Sequence, residues 1–414
     1  MLLSMKPSIL VLALAVTAAA WTAPISHPSV SHRSTTELMS AKEPEDQSLD
    51  RRNFFQAATT KAATLSLLVA SSTVSTLDVA NAADSTTSYS KIYQPAPHSM
   101  DGKLVVITGG NAGLGLESSK RLAEAGATVV FTSRDDAKGQ KALTGINESL
   151  KQQKADDETF AGKVMVASLD LCDLDNVKSF QERLVNVIGK DVKIDVLLNN
   201  AGVMAIPDLR LTKDGYEKTF QTNHLGHFAL TSTLLPLLSS HARVINVSSQ
   251  GYLFASKNGL ELDNLNGERE YGPWSSYGQS KLENILFTNE LQKRAQNSES
   301  HSNLTAFSLH PGAVQTDLAR YIIGEEKFIS MKENGFSNWK DKLVMESLAK
   351  FVLTVQEGAS TQVFLASQDV GSLEAGKFFD AGKVTAVQAF AADEAKGVAL
   401  WDVSEKLSGV KFEL

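Results

Sequence analysis

The chain has 414 residues, a formal net charge of −7 and a single cysteine. Residues 1–82 hold six basic and six acidic side chains, so the later part carries the whole charge. An acidic surface without basic clusters argues against nucleic acid as a partner. Cys172 alone cannot close an internal disulfide, and beyond residue 82 no apolar run is long enough to suggest a membrane span in the mature protein.

The first 82 residues read as addresses in series. Residues 1–20 carry Lys6, an apolar run from Ile9 and a small-residue end, Ala18-Ala19-Ala20, the pattern of a signal peptide. Residues 21–50 are rich in Ser and Thr, like a transit peptide. Residues 51–82 open on Arg51-Arg52-Asn53-Phe54-Phe55, a twin-arginine pattern, and end on Ala80-Asn81-Ala82. This series resembles the targeting of algal plastids of secondary origin, and Ala20-Trp21-Thr22-Ala23-Pro24 is similar to their cleavage junction. The resemblance implies passage to the plastid and then the thylakoid lumen; the secretory pathway and the plastid stroma are the alternatives. Residues 83–99, with Pro95 and Pro97, read as a linker, 100–390 as the folded domain and 391–414 as a C-terminal tail.

Within the domain, apolar strands alternate with helical patterns. Predicted strands cover Leu104–Thr108, Thr128–Ser133, Val164–Ser168, Val196–Asn199, Arg243–Ser248 and Leu304–Leu309, and predicted helices include Gly115–Ala125 and Ala137–Lys154. The alternation predicts an α/β class: one Rossmann-type, doubly wound domain whose parallel sheet is covered on both faces. The first strand runs into Gly109, Asn111, Gly113, Leu114 and Gly115, a glycine-rich turn opening a helix. Such a turn lets backbone approach a dinucleotide pyrophosphate. The second strand ends on Ser133-Arg134, with Lys138 a turn later. A basic residue there favours the 2′-phosphate of NADP over the free ribose of NAD, and Asp135 and Asp136 make the preference partial. Asp170 and Leu171 follow the third strand, on the adenine side. Asn200, Ala201 and Gly202 follow the fourth, beneath the expected cofactor. Pro311, Gly312, Val314 and Thr316 follow the last. Tyr277 and Lys281, four apart, share a helix face, where the ammonium lowers the phenol pKa.

The ordered set Thr108–Gly115, Asn199–Gly202, Asn223, Ser249, Tyr277, Lys281 and Pro311-Gly312 resembles the short-chain dehydrogenase/reductase family over roughly residues 100–390. Asn200–Met204, Thr222–Phe228 and Tyr277–Leu282 are similar to its retinol-dehydrogenase-like branch, which tolerates the 28-residue step from Ser249 to Tyr277. The resemblance implies that Tyr277 is the acid or base, that Lys281 lowers its pKa and holds the nicotinamide ribose, that Ser249 rather than Ser248 binds the substrate oxygen, and that Asn223 positions a water toward Lys281. It implies an NADP(H)-dependent oxidoreductase interconverting a carbonyl and an alcohol on a hydrophobic small molecule, with a substrate lid near 320–350 and a homodimer formed through the helices of Asn223 and Lys281. Two alternatives stand beside it. A light-dependent protochlorophyllide reductase belongs to the same family, but Tyr277-Gly278-Gln279 lacks its Lys-Asp, and Cys172 lies on the adenine side. A non-catalytic NADP-binding sensor or scaffold would not need the complete Asn, Ser, Tyr and Lys set. His224 and His227 have a spacing that metals use, but no cysteine or carboxylate lies nearby in sequence, so no metal is expected.

Overall fold

The computed structural model describes residues 92–314 and 352–414. The addresses in residues 1–82, the lid and Thr316 lie outside the described residues.

The elements follow in chain order: β1 Leu104–Ile107, α1 Gly113–Glu124, β2 Thr128–Ser133, α2 Asp136–Asp156, β3 Lys163–Ser168, α3 Leu174–Lys178, α4 Phe180–Ile188, β4 Ile194–Asn199, α5 Lys218–Phe220, a π-helical segment Gln221–Leu225, α6 Gly226–Leu234, β5 Leu238–Val247, α7 Pro273–Gln296, β6 Thr305–His310, α8 Val355–Gly358, α9 Ser360–Ser367, β7 Phe378–Asp380, β8 Lys383–Val384 and α10 Glu394–Ser408. The sheet order is β3-β2-β1-β4-β5-β6-β7-β8. Strand order reverses between β1 and β4, the switch point where open α/β sheets leave a crevice at their carboxyl ends.

β1 shows why the strands read as unbroken apolar runs. Its four residues are all buried. Leu104 and Val106 face the core shared with α3, α4 and α6, while Val105 and Ile107 face the core on the other side of the sheet, which takes in residues of α1, α2 and α9. A strand buried on both faces needs apolar side chains at every position.

Three features add to the expectations. The sheet is parallel up to β7, but β8 returns antiparallel to β7. Ala381 and Gly382, at φ of 53° and 72°, supply the tight turn between them. Residues from 92 onward in the expected linker are docked: the Tyr93 ring meets Phe364 edge-on at 5.3 Å, and its hydroxyl accepts from Gln368 at 2.9 Å. The expected tail is part of the core. Asp393 caps α10 by accepting from Lys396 N, and Gly409 ends it in the left-handed conformation. Between them Trp401 is only 1% exposed, with Phe412 tilted against it at 4.4 Å and Phe228 edge-on at 5.2 Å. The signal was weak because the buried stripe of α10 runs through Gly397, Ser404 and Ser408 as well as Leu400 and Trp401.

Candidate active site

The glycine turn is fastened to the neighbouring strand by one hydroxyl. Thr108 Oγ1 accepts from the backbone N–H groups of Asn200 and Ala201, both at 2.9 Å, and the Asn200 side chain donates to Thr108 O at 2.9 Å. Gly109 takes a φ of 65°, which a side chain would resist. A Cβ at Gly115 would stand 2.5 Å from both Asn200 Nδ2 and Gly109 O, so the turn closes only with glycine there. Asn111 is half-buried in the turn, and Gly113 and Leu114 begin α1. The cap residue, Ala112, offers no side-chain acceptor to the first N–H groups of α1. They stand at the switch point, where an anion would satisfy them. Gln362, from α9, braces the turn by donating to Ser118 Oγ at 2.7 Å and to Asn200 Oδ1 at 3.3 Å. Its role was not legible in the sequence.

At the end of β2, Arg134 is exposed and makes no ion pair among the described residues. Asp135 is engaged elsewhere: it caps α2, accepting from Lys138 N at 3.0 Å, and its carboxylate lies 3.6 Å from Lys138 Nζ. The bond from Lys138 N is the main reason its pKa falls below the usual range. Arg134 is therefore the cation left at the strand end. Asp170 accepts from Cys172 N at 2.9 Å, and Leu171 is buried beside Gly226. Asn199 points into the core, donating to Asn246 and Thr231. Ala201 and Gly202 lie between the turn and Asn223; a Cβ on Gly202 would be 3.2 Å from Asn223 Oδ1 and 3.6 Å from Lys281 Nζ. Pro311, Gly312 and Val314 follow β6 half-buried, with Val314 packed over Gly358 next to Leu114.

Asn223 sits in the π-helical segment. Its side chain accepts from Val203 N at 2.8 Å and donates to Val203 O and to Ser280 Oγ, each at 2.9 Å. Ser280 in turn donates to Tyr277 O. On α7, Lys281 Nζ donates to Val247 O at 2.9 Å and stands 5.7 Å from the centre of the Tyr277 ring. Ser248 spends its hydroxyl on Lys281 O at 2.6 Å, which leaves Ser249 as the half-buried hydroxyl of the pair facing Tyr277.

The electrostatics differ from the expectation that Lys281 depresses the Tyr277 pKa. Burial dominates: the phenol is pushed up to about 12, with the Ser249 hydrogen bond pulling only partly against it. Burial also brings Lys281 down to about 8. The ammonium is aimed at the Val247 carbonyl rather than at the phenol oxygen.

Two further groups were missed. Trp274 meets the Tyr277 ring edge-on at 6.4 Å and Phe254 at 5.6 Å, forming an aromatic wall. His227 is 2% exposed and joins Thr108 to Asn223 through both ring nitrogens. His224 bonds Ser404. Among the described residues no group of His, Cys, Asp or Glu is arranged to hold a metal ion.

A family model described as short chain dehydrogenase matches residues 103–327. Retinol dehydrogenase 14 of Mus musculus is 37% identical over 318 residues, covering 76% of this chain and 88% of that protein. The chloroplastic short-chain dehydrogenase TIC 32 A of Brassica napus is 33% identical over 320 residues, covering 75% of this chain and 90% of that protein. Among solved structures, an uncharacterised protein of Mycobacterium paratuberculosis superposes with a TM-score of 0.56 at 34% identity, over 78% of this chain and 100% of its own. The chain belongs to the short-chain dehydrogenase family, in its retinol-dehydrogenase-like branch.

Proposed function

We propose that this protein is an NADP(H)-dependent oxidoreductase that interconverts a carbonyl and an alcohol on a hydrophobic small molecule. The observation that carries the reading is the meeting of Ser249, Tyr277 and Lys281 beside the glycine turn, at the carboxyl ends of the strands. The residues fit a dinucleotide. The uncapped start of α1 would take the pyrophosphate, Gly109–Gly115 give it close backbone approach, and Arg134 would take a 2′-phosphate. Asp170, Leu171, Asn200, Ala201, Gly202, Pro311, Gly312 and Val314 would line the rest, and Thr316 would join them. The bound nicotinamide supplies or accepts the hydride.

The chain's own groups handle the proton. In reduction, Tyr277 Oη gives its proton to the substrate oxygen as negative charge grows there; in oxidation it takes the proton back. A phenol held near 12 is protonated at neutral pH, which suits the donor role. Ser249 Oγ donates to the same oxygen and stabilises the developing charge. Lys281, cationic below about pH 8, would hold the ribose and favour the phenolate. Asn223 holds the Val203 backbone and Ser280, and through Ser280 the Tyr277 carbonyl. Trp274 and Phe254 give the site an apolar side, in keeping with a hydrophobic substrate.

We place the enzyme in the plastid. The tandem address and the chloroplastic Brassica relative support this, and the step to the thylakoid lumen rests on the twin-arginine pattern alone. The test of the reading is to titrate NADPH and NADH by fluorescence against the wild type and Arg134→Ala. NADPH oxidation is then followed with retinal, a steroid ketone, a lipid aldehyde and, in light, protochlorophyllide. The reading expects tighter NADPH than NADH, a preference lost in Arg134→Ala, and oxidation dependent on a carbonyl. Binding without turnover on any carbonyl would favour the sensor alternative.

A further inference from the structure

A cavity of about 230 Å³ lies against α7, lined by Ser275, Ser276, Gln279 and Glu283. At 3.6 residues per turn these positions fall on the side of the helix turned away from Tyr277 and Lys281. The cavity therefore lies across α7 from Tyr277 and Lys281, with Phe254 common to its lining and to the aromatic wall beside Tyr277. Its other walls come from the start of α5 and from the long stretch between Ser249 and Tyr277.

Glu283 is the unusual group in it. The side chain is 1% exposed, and Oε2 is buried without a hydrogen-bond partner among the described residues. Glu217, also 1% exposed, lines the same cavity and repels a charge on Glu283. Both Glu217 oxygens accept from backbone, Thr219 N at 2.8 Å and Phe220 N at 2.7 Å, and as a carboxylate held there Glu217 offers Glu283 no donor. No lysine or arginine lines the space. Arg269 is committed to Glu261 and Asp263, at 3.4 and 3.0 Å. A buried carboxyl without a donor is costly, and two carboxyls in one space are more so. A donor bearing positive charge would relieve both.

The walls say which kind. The described residues hold no group of three or more His, Cys, Asp or Glu placed for a metal. Phe220 and Phe254 present aromatic surface, which attracts organic cations. The volume matches about seven or eight waters at roughly 30 Å³ each, room for an amine of a few heavy atoms. Glu270 is exposed among the lining residues and opens the cavity to solvent.

We propose that this cavity is a binding site for a small organic ammonium ion, whose N–H groups are taken by Glu283, with Glu217 and the two phenylalanines supplying the remaining attraction. The same helix carries Tyr277 and Lys281 on its other side, so occupancy would be felt one layer from the active site.

The test uses the purified full chain at constant ionic strength. Ethylammonium and putrescine are titrated by calorimetry and by thermal unfolding, beside sodium and magnesium chloride. The proposal expects one saturable amine site, a rise in Tm that sodium and magnesium do not give, and at least a tenfold loss of affinity in Glu283→Gln. Tyr277→Phe should bind the amine like the wild type. Calorimetry of the wild type in buffers of different ionisation enthalpy should show proton release on binding, a readout independent of how any variant folds. Absence of saturable amine binding, equal binding by Glu283→Gln, an equal rise with magnesium, or binding without proton release would each overturn it.

Discussion

His227 Nδ1 donates to the main-chain carbonyl of Asn223 at 3.0 Å. Its other nitrogen lies 2.9 Å from Thr108 Oγ1, a hydroxyl that already accepts from two backbone N–H groups. The hydroxyl proton therefore goes to Nε2, and the ring is the neutral Nδ1–H tautomer. One imidazole thus ties the glycine turn to the residue beside Lys281. His227→Phe would remove both hydrogen bonds and leave the Thr108 hydroxyl proton only Leu198 O, at 3.5 Å. We expect a loss of about 2–4 kcal/mol in stability, together with a fall in kcat of tenfold or more. His227→Asn, which keeps a donor near Nδ1, should recover part of both. Urea midpoints and kcat for the two variants check this; unchanged midpoints in His227→Phe would remove the link.

Burial holds His227 at about 4 and His224 at about 3, both below their unfolded value of 6.5. Such groups contribute stability that is complete above pH 6.5 and is lost as pH falls toward those values. Each costs about 1.4 kcal/mol per pH unit within that window. Glu283 acts in the opposite sense. Burial raises its pKa well above 4.5, so its contribution is present below 4.5 and is lost as pH rises through its folded value. Glu283→Gln should therefore gain on the wild type steadily from pH 4.5 upward and show the histidine loss more steeply below 6.5. Urea midpoints from pH 4.5 to 8 measure both. Parallel curves for the two proteins would contradict the assignment.

With Lys281 at about 8, the proposed site would lose its cation just above neutral pH. Because kcat/KM for NADPH reports ionisations of the free enzyme, it should be level near pH 7 and fall above about pH 8. Lys281→Arg should move that limb upward, even at reduced activity. A profile flat to pH 10 would separate Lys281 from cofactor binding.

Much of this was legible in the sequence, for a physical reason. Strands buried on both faces must be apolar throughout, so Thr128–Ser133 is found at its predicted bounds, and the glycine turn shows itself because side chains do not fit there. The missed features have weaker local signals. α10 buries serines, and β7 and β8 are too short to have a period. His227 looks like any histidine on a helix until the π-helical segment brings the Asn223 carbonyl to it. Spacing brings Lys281 near Tyr277 but does not report burial, which sets the direction of the Tyr277 pKa.

α10 also bears on assembly. It packs on α7 and α6, the helices whose outer faces would pair in a dimer, with Trp401 against Phe228 and Phe287. We expect the protein to run as a monomer in light scattering at micromolar concentration. Trp401→Ala should cost about 3–5 kcal/mol and expose that face to self-association. A stable wild-type dimer would show that pairing uses a different surface.

The most direct measurement compares wild type with Tyr277→Phe for NADPH binding by fluorescence and for carbonyl-dependent NADPH oxidation. On the proposed mechanism this removes the proton donor alone. The account predicts unchanged cofactor affinity and a fall in turnover of roughly 10²–10⁴. Normal turnover by Tyr277→Phe would contradict it.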